Sequence, residues 1–381
     1  MRSKLLAHTS IKNNFLIVIS HSARALSESA CRAGWNVISV DGFADTDTLE
    51  SSYECCCLPL DSGEFLGSYL NTCLARLQQR YPQAKVILGA GAENLADRIE
   101  AFTGWQLCAN SSTVVAQLNN PHEFFDALDE LQITYPAVRY TAMAESGEWL
   151  HKRANSCGGM GVSRQVIDKP QGYWQQEISG LAVSALCVSN GVEVACLGFN
   201  QQYSTSCFEG YPYVYQGVLV NADLSSTLKY KTISYANKLI NHFNIKGVFS
   251  LDMIAPKQSA QEVLYVLEVN PRISASFELY EHLNPGLNLV DAHIRVCEGE
   301  RLPEFDLSNT QSAYLIVYAE EDCLISEQLV WPEWVKDRPE AFRQISKYEP
   351  ICSVHADEGE SKGSLYSLLQ QRADQVIGLI N

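Results

Sequence analysis

Apolar residues fall in short blocks along this chain, and their spacing switches between the two-residue period of strands and the three-to-four-residue period of helices. The run Phe15-Leu-Ile-Val-Ile-Ser20 predicts a buried strand, residues 23–33 a helix stopped by Gly34, and Asn36-Val-Ile-Ser-Val-Asp41 a second strand. Residues 65–80 predict another helix, Val86-Ile-Leu-Gly89 a strand and residues 93–101 a further helix. Strands alternating with helices in this way build an open parallel α/β domain, placed here at about residues 1–108.

The pattern then changes. Residues 121–131 have helical periodicity, and Gln132-Ile-Thr-Tyr-Pro136 turns into a new strand. A short strand bearing Lys152 runs into the glycine-rich stretch Ser156-Cys-Gly158-Gly159-Met-Gly161 and returns over residues 162–167. Tyr173-Trp-Gln-Gln176-Glu177-Ile178-Ser-Gly180 follows, leading into a strand over residues 181–188. Two strongly apolar runs, residues 247–254 and 263–270, flank the polar stretch 255–262 and predict a hairpin.

That hairpin carries the chemistry. Glu268 and Asn270 share a strand face, and antiparallel pairing brings Asp252 beside them. Three hard oxygen donors that leave positions open for phosphate are what Mg²⁺ takes in ATP sites. Pro271 ends the ladder and hands the chain to Arg272, a fork of donors suited to phosphate. The same three residues would also appear on the wet face of a plain half-buried hairpin.

Elsewhere the residues admit two readings. Glycines let backbone approach a polyphosphate while Lys152 supplies a point charge, although a hairpin turn with a solvated lysine has the same composition. Gln176 and Glu177 end an aromatic strand, where they either meet an adenine edge or mark a strand exit. Gly89-Ala-Gly91 reads as a tight turn, since it lacks the third glycine of a dinucleotide fingerprint. Ser20, His21, Ser22 and Arg24 follow the first strand, at the end where open sheets form ligand crevices. The tyrosine-rich stretch 203–217 reads as packing or as a pocket for an aromatic amine, and His282 and His293 as structural.

Composition narrows the field. At 381 residues, 46% apolar and 19% charged, the chain is an ordinary globular protein of two or three domains. A net charge of −16 without a Lys/Arg cluster excludes a nucleic-acid partner. The 13 cysteines lack CxxC spacing, so reduced thiols are expected, and no apolar run is long enough to cross a bilayer. A cytoplasmic location follows as an expectation.

Taken in order, Lys152, the glycine loop, Gln176-Glu177-Ile178, Asp252 and Glu268-x-Asn270-Pro-Arg272 resemble the ATP-grasp superfamily, which includes biotin carboxylase, glutathione synthetase and D-alanine:D-alanine ligase. The tail, with Asp337-Arg338-Pro339 and Tyr348-Glu349-Pro350, resembles predicted carboxylate–amine ligases related to biotin carboxylase, some of them from organisms that make tetrahydromethanopterin or methanofuran. The resemblance implies a pre-ATP-grasp α/β domain at 1–108. A two-subdomain ATP-grasp fold follows at 109–300 (lid about 137–180, core about 181–300), then a small C-terminal α/β subdomain at 301–381.

It also implies roles. Lys152 and the loop residues Ser156, Gly158, Gly159 and Gly161 would hold phosphates, and Gln176, Glu177 and Ile178 would meet adenine. Asp252, Glu268 and Asn270 would bind Mg²⁺, or Mn²⁺ in its place, and Arg272 would stabilise charge in transfer. The implied activity is amide formation from a small-molecule carboxylate and an amine through an acyl phosphate, in cofactor or small-molecule biosynthesis; the sequence leaves the oligomeric state open, a homodimer among the options. A bicarbonate-activating carboxylase and a non-catalytic ATP-binding regulator are the alternatives. Two departures stand out: Asn119-Asn120 where many members carry a lysine, and Ala182, Val183 and Ser184 where a ribose-contacting carboxylate is usual.

Overall fold

Five parallel strands open the structure: β1 (Phe15–Ile19), β2 (Asn36–Asp41), β3 (Glu54–Cys57), β4 (Lys85–Leu88) and β5 (Gln106–Leu107), in the order β3-β2-β1-β4-β5. The computed structural model describes residues 14–61, 64–141, 148–153, 156–164, 172–257, 262–360 and 363–380. Both faces of this sheet are covered, which is why β1 reads as unbroken apolar sequence. Leu16 and Val18 pack on one side with helices α1 (Arg24–Arg32) and α9 (Leu289–Cys297), and Ile17 and Ile19 on the other with α3 (Gly67–Arg80) and α4 (Ala96–Glu100). Each such fully buried side chain contributes about 1.5–3 kcal/mol. The predicted elements appear within a few residues of their expected ends. The cysteine-rich strand β3 and the helix α2 (Thr46–Ser51) were not foreseen.

Two further sheets follow. The four-stranded lid comprises β6 (Val138–Arg139), β7 (Trp149–Lys152), β8 (Val162–Ser163) and β9 (Tyr173–Gln176), ordered β8-β7-β9-β6. The return strand expected to 167 is seen as Val162–Ser163, since residues 165–171 lie outside the described residues. Helices α5 (Ser112–Asn119) and α6 (Pro121–Glu130) lead into the lid.

The large sheet has eight strands. Chain order gives β10 (Gly180–Asn190), β11 (Val194–Thr205), β12 (Val214–Val220), β13 (Lys246–Pro256), β14 (Tyr265–Asn270), β15 (Ser312–Tyr318), β16 (Val335–Lys336) and β17 (Pro350–Asp357). In space they run β14-β13-β10-β11-β12-β15-β17-β16. Strands of the expected C-terminal subdomain therefore extend the central sheet, through the β12–β15 pairing. Helix α7 (Ser226–Phe243), capped by the Ser225 hydroxyl and ended by Asn244 in the left-handed region, covers one face with α6. Helices α8 (Phe277–Leu283) and α9 cover the other, against the N-terminal domain, and α10 (Leu365–Ile380) packs on β15 and β17. Among the described residues no helix is long and apolar enough to cross a membrane.

Candidate active site

β13 and β14 pair antiparallel, so Asp252 stands opposite Glu268 and Ser250 opposite Asn270. Alternation sends Phe249, Leu251 and Met253 into the core beneath α7 and turns Asp252 to the opposite face. A register shift directly after Asp252 marks a bulge, a common device for re-aiming a side chain. The hairpin tip at 258–261 lies outside the described residues.

The side chains then interlock. Asn270 Nδ2 donates to Asp252 Oδ2 at 3.1 Å, and Arg272 Nη2 donates to Asn270 Oδ1 at 3.2 Å. Arg272 Nη1 donates to Ser274 Oγ at 3.1 Å. Burial, and then the neighbouring Glu268, pushes the Asp252 carboxyl up to about 7. Its Oδ1 is buried without a hydrogen-bond partner of normal geometry among the described residues. Lys152, at the end of β7, faces the same pair from the lid: burial lowers its ammonium, and Glu268 and Asp252 pull it back up.

A carboxylate with a buried, open oxygen, Asp252, facing the exposed carboxylate of Glu268 is a donor set that a divalent cation satisfies. Among the described residues no group of three or more His, Cys, Asp or Glu side chains forms a self-sufficient cage. Two carboxylates and an amide suit Mg²⁺, which keeps waters and takes substrate phosphate as ligands. The residues present fit that ion.

The glycine loop rests on the start of β12. Gly158 and Gly159 take φ of 65° and 78°, and Gly158 O accepts from Tyr215 N at 2.9 Å. A Cβ on Gly159 would lie 1.9 Å from the Tyr213 carbonyl oxygen, so only glycine lets the two backbones meet. Ser156 Oγ donates to Arg153 O at 2.9 Å, and Gly161 O accepts from Arg153 N at 2.9 Å, closing the loop on its own stem.

The linker is only partly open to a ligand. Gln176 N donates to Ala137 O at 2.8 Å and Glu177 N to Glu148 O at 2.6 Å, so an adenine edge cannot use those two N–H groups. The Glu177 carboxylate pairs with Arg164 and accepts from the Tyr213 hydroxyl, which hold it below the usual carboxylate range. Ile178 follows directly, ahead of β10.

Several residues fall elsewhere than sequence suggested. Arg24 does not face a pocket: it is buried against Glu278 and Asp337, and Ser22 Oγ donates to Asp337 at 3.4 Å. In the tyrosine-rich stretch Tyr215 packs with its hydroxyl 2.9 Å from that of Tyr314 and Tyr203 lies against Tyr366, whereas Tyr211 and Tyr213 are exposed. His293 is structural, as expected, accepting from Val248 N at 2.8 Å and lying 2.8 Å from Cys108 O. In place of the absent lysine, Asn119 Nδ2 donates to Asn94 and Asn120 caps α6. Ser184 accepts from Asn200 Nδ2 at 3.1 Å.

Glu93 and Cys157 carry no motif, yet they reach the site. Arg272 Nε lies 3.4 Å from Glu93 Oε1, and Cys157 Sγ lies 3.7 Å from His21 Nδ1. The signal that finds Glu93 is topological. It follows β4, beside β1, where the order of an open sheet reverses.

Residues 118–276 match the family model described as ATP-grasp domain. Over those residues the chain is similar to ATP-grasp domains. Members of that family are mostly ATP-dependent ligases and bind ATP with Mg²⁺. No curated protein matches the chain.

Solved structures share the fold around these residues. Pyruvate carboxylase T882A from Rhizobium etli, with acetyl coenzyme A, aligns at TM-score 0.70 and 15% identity, over 95% of this chain but 36% of its own. This chain thus spans about a third of that protein. The biotin carboxylase domain dimer of Hydrogenobacter thermophilus 2-oxoglutarate carboxylase, with MgADP, ADP and bicarbonate, aligns at 0.71 and 12% identity over 97% and 90%. The L-amino acid ligase from Bacillus licheniformis aligns at 0.66 and 15% identity over 96% and 98%. Identities this low speak for the fold alone.

Proposed function

We propose that this protein is an ATP- and Mg²⁺-dependent carboxylate–amine ligase. The observation that carries the reading is the convergence of Asp252, Glu268 and Asn270 on one face of the β13–β14 hairpin with Lys152 and Arg272 beside them. A regulator that merely bound ATP would have no need to keep Asp252, Glu268, Asn270 and Arg272 together, groups that bridge and neutralise phosphate in transfer.

In this reading Asp252, Glu268 and Asn270 hold Mg²⁺, which neutralises phosphate charge. Lys152 and the backbone of residues 156–161 cradle the phosphates, and the strand exit at Gln176, Glu177 and Ile178 meets adenine through its carbonyl oxygens and Ile178. Arg272 stabilises charge while a substrate carboxylate attacks the γ-phosphate. The product acyl phosphate is then opened by an amine, giving an amide and inorganic phosphate. Positioning and charge account for such chemistry without a side-chain nucleophile. All thirteen cysteines are free thiols, in keeping with a reducing, cytoplasmic setting. A homodimer is the assembly to be checked by light scattering.

The test is ADP release from MgATP with pooled carboxylates and amines, bicarbonate in a separate arm, comparing wild type with Glu268→Gln. Turnover that needs both pools and is lost in the variant supports the ligase. Turnover with bicarbonate alone moves the reading to a carboxylase. ATP binding without turnover in any arm moves it to a regulator.

A further inference from the structure

The loops that leave β1 and β4 diverge, because β2 lies on one side of β1 and β4 on the other, the topology at which open sheets form a ligand crevice. Two side chains in that crevice are incompletely satisfied. Glu93 directs Oε1 at Arg272, 3.4 Å away, while its Oε2 is buried with no hydrogen-bond partner among the described residues. His21 turns Nδ1 toward Cys157 Sγ at 3.7 Å, while its Nε2 is buried and has no partner of normal geometry among the described residues. The ring lies against Gly91, where an added Cβ would come within 1.9 Å of it. His21 is thus fixed between that turn and the glycine loop.

Buried polar atoms in folded proteins are nearly always satisfied. A carboxylate accepts only, so the group missing beside Glu93 is a donor. A cleft of about 410 Å³ reaches Glu93 from outside, lined by Asn94, Asp97, Ser112 and Thr113 and by no Lys or Arg. Its acidic lining favours a cation over an anion. Through Arg272 and Asn270, Glu93 is linked to Asp252 by successive contacts of 3.4, 3.2 and 3.1 Å.

Resting on the ligase reading, we propose that this crevice is the amine subsite, in which Glu93 Oε2 accepts from the ammonium of a primary amine and His21 Nε2 takes its proton. The class it selects is a primary amine with no anionic group beside the nitrogen. Loss of the proton to His21 frees the nitrogen lone pair. The C–N bond forms at the acyl carbon, the bond from that carbon to the phosphate oxygen breaks, and the nitrogen's second proton passes to the departing phosphate, which leaves as hydrogen phosphate. Burial lowers the His21 imidazole, against a smaller upward pull from Glu93, so the ring is neutral at neutral pH. With its proton on Nδ1, toward Cys157, Nε2 is an acceptor.

The experiment compares two rates in wild type, Glu93→Gln and His21→Asn, all with MgATP and the carboxylate pool. One uses hydroxylamine, which traps the acyl phosphate as a hydroxamate without an ammonium site. The other uses pooled primary amines. We expect the amine-dependent rate to fall at least about tenfold further than the trapped rate in each variant, through KM for the amine in Glu93→Gln and through kcat in His21→Asn. Equal proportional losses of both rates, or no loss, overturn the subsite while leaving the ligase intact. A wild type that makes no hydroxamate and no amide overturns the ligase reading and this one with it. Should Glu93→Gln fail to fold once Arg272 loses its partner, His21→Asn alone decides.

Discussion

Arg24 grips the carboxylate of Glu278 with both terminal nitrogens, Nη1 to Oε2 at 2.6 Å and Nη2 to Oε1 at 2.8 Å, across 254 residues of sequence. Its Nε meanwhile donates to Asp337 Oδ1 at 2.8 Å. Burial works to raise the Asp337 carboxyl, but Arg24 outweighs it and holds the group below the usual range. Removing one member of such a buried cluster leaves the others uncompensated. Arg24→Gln should cost about 3–5 kcal/mol of stability, read from urea unfolding. A loss below about 1 kcal/mol would mean that the cluster is solvated in solution.

Asp252 predicts a trade between stability and metal binding. With its carboxyl at about 7 in the fold and near 3.9 unfolded, only the native state holds that proton between those values, so stability falls as pH rises through the window. Asp252→Asn should therefore stabilise the metal-free protein at pH 8 by about 1–3 kcal/mol. It should also abolish the rise in melting temperature that Mg²⁺ with ATP gives the wild type. A variant that still responds like wild type to MgATP would remove Asp252 from the ligand set.

His293 predicts an acid weakness. Burial pushes its imidazole down to about 4, so between that value and the unfolded 6.5 only the unfolded chain takes the proton, and stability is lost as pH falls. The wild-type advantage over His293→Gln should be greatest above pH 7. It should shrink by about 2 kcal/mol by pH 5 in paired urea titrations. A constant difference across that range would contradict a neutral His293.

The two adjacent glycines of the loop make a matched pair. At Gly159 a side chain meets Tyr213 O at 1.9 Å, whereas at Gly158 no described residue beyond its chain neighbours lies within 4 Å of an added Cβ. Gly159→Ala should raise KM for ATP by about tenfold or more, equivalent to about 1.4 kcal/mol. Gly158→Ala should cost only the left-handed backbone penalty of about 1–2 kcal/mol in loop stability, with the smaller effect on KM. Equal effects from both would show that the loop does not rest on β12 when ATP is bound.

Much of this was legible because local rules acted alone. Apolar runs gave β1, β2, β4, β13 and β14, and the two-residue period placed Glu268 and Asn270 on one face with Asp252 opposite. Legibility failed where tertiary contact decided. Arg24 looks in sequence like a pocket cation, and only the arrival of Glu278 and Asp337 buries it. Glu93 meets Arg272 across 179 residues, and no spacing rule links them. The N–H groups of Gln176 and Glu177 seemed open to a base, but residues 137 and 148 take them up when the lid folds. The C-terminal strands read as a separate unit because nothing in their pattern names β12 as the neighbour.

That neighbour makes the large sheet a mechanical part. Gly158 is fastened to β12 at Tyr215, β12 is laced to β15, β15 to β17, and β17 to β16, which ends one residue before Asp337. The glycine loop and the carboxylate that locks Arg24 are thus mounted on a single sheet. The grip between the first and last thirds of the chain and the seat of the glycine loop therefore share one continuous hydrogen-bonded ladder.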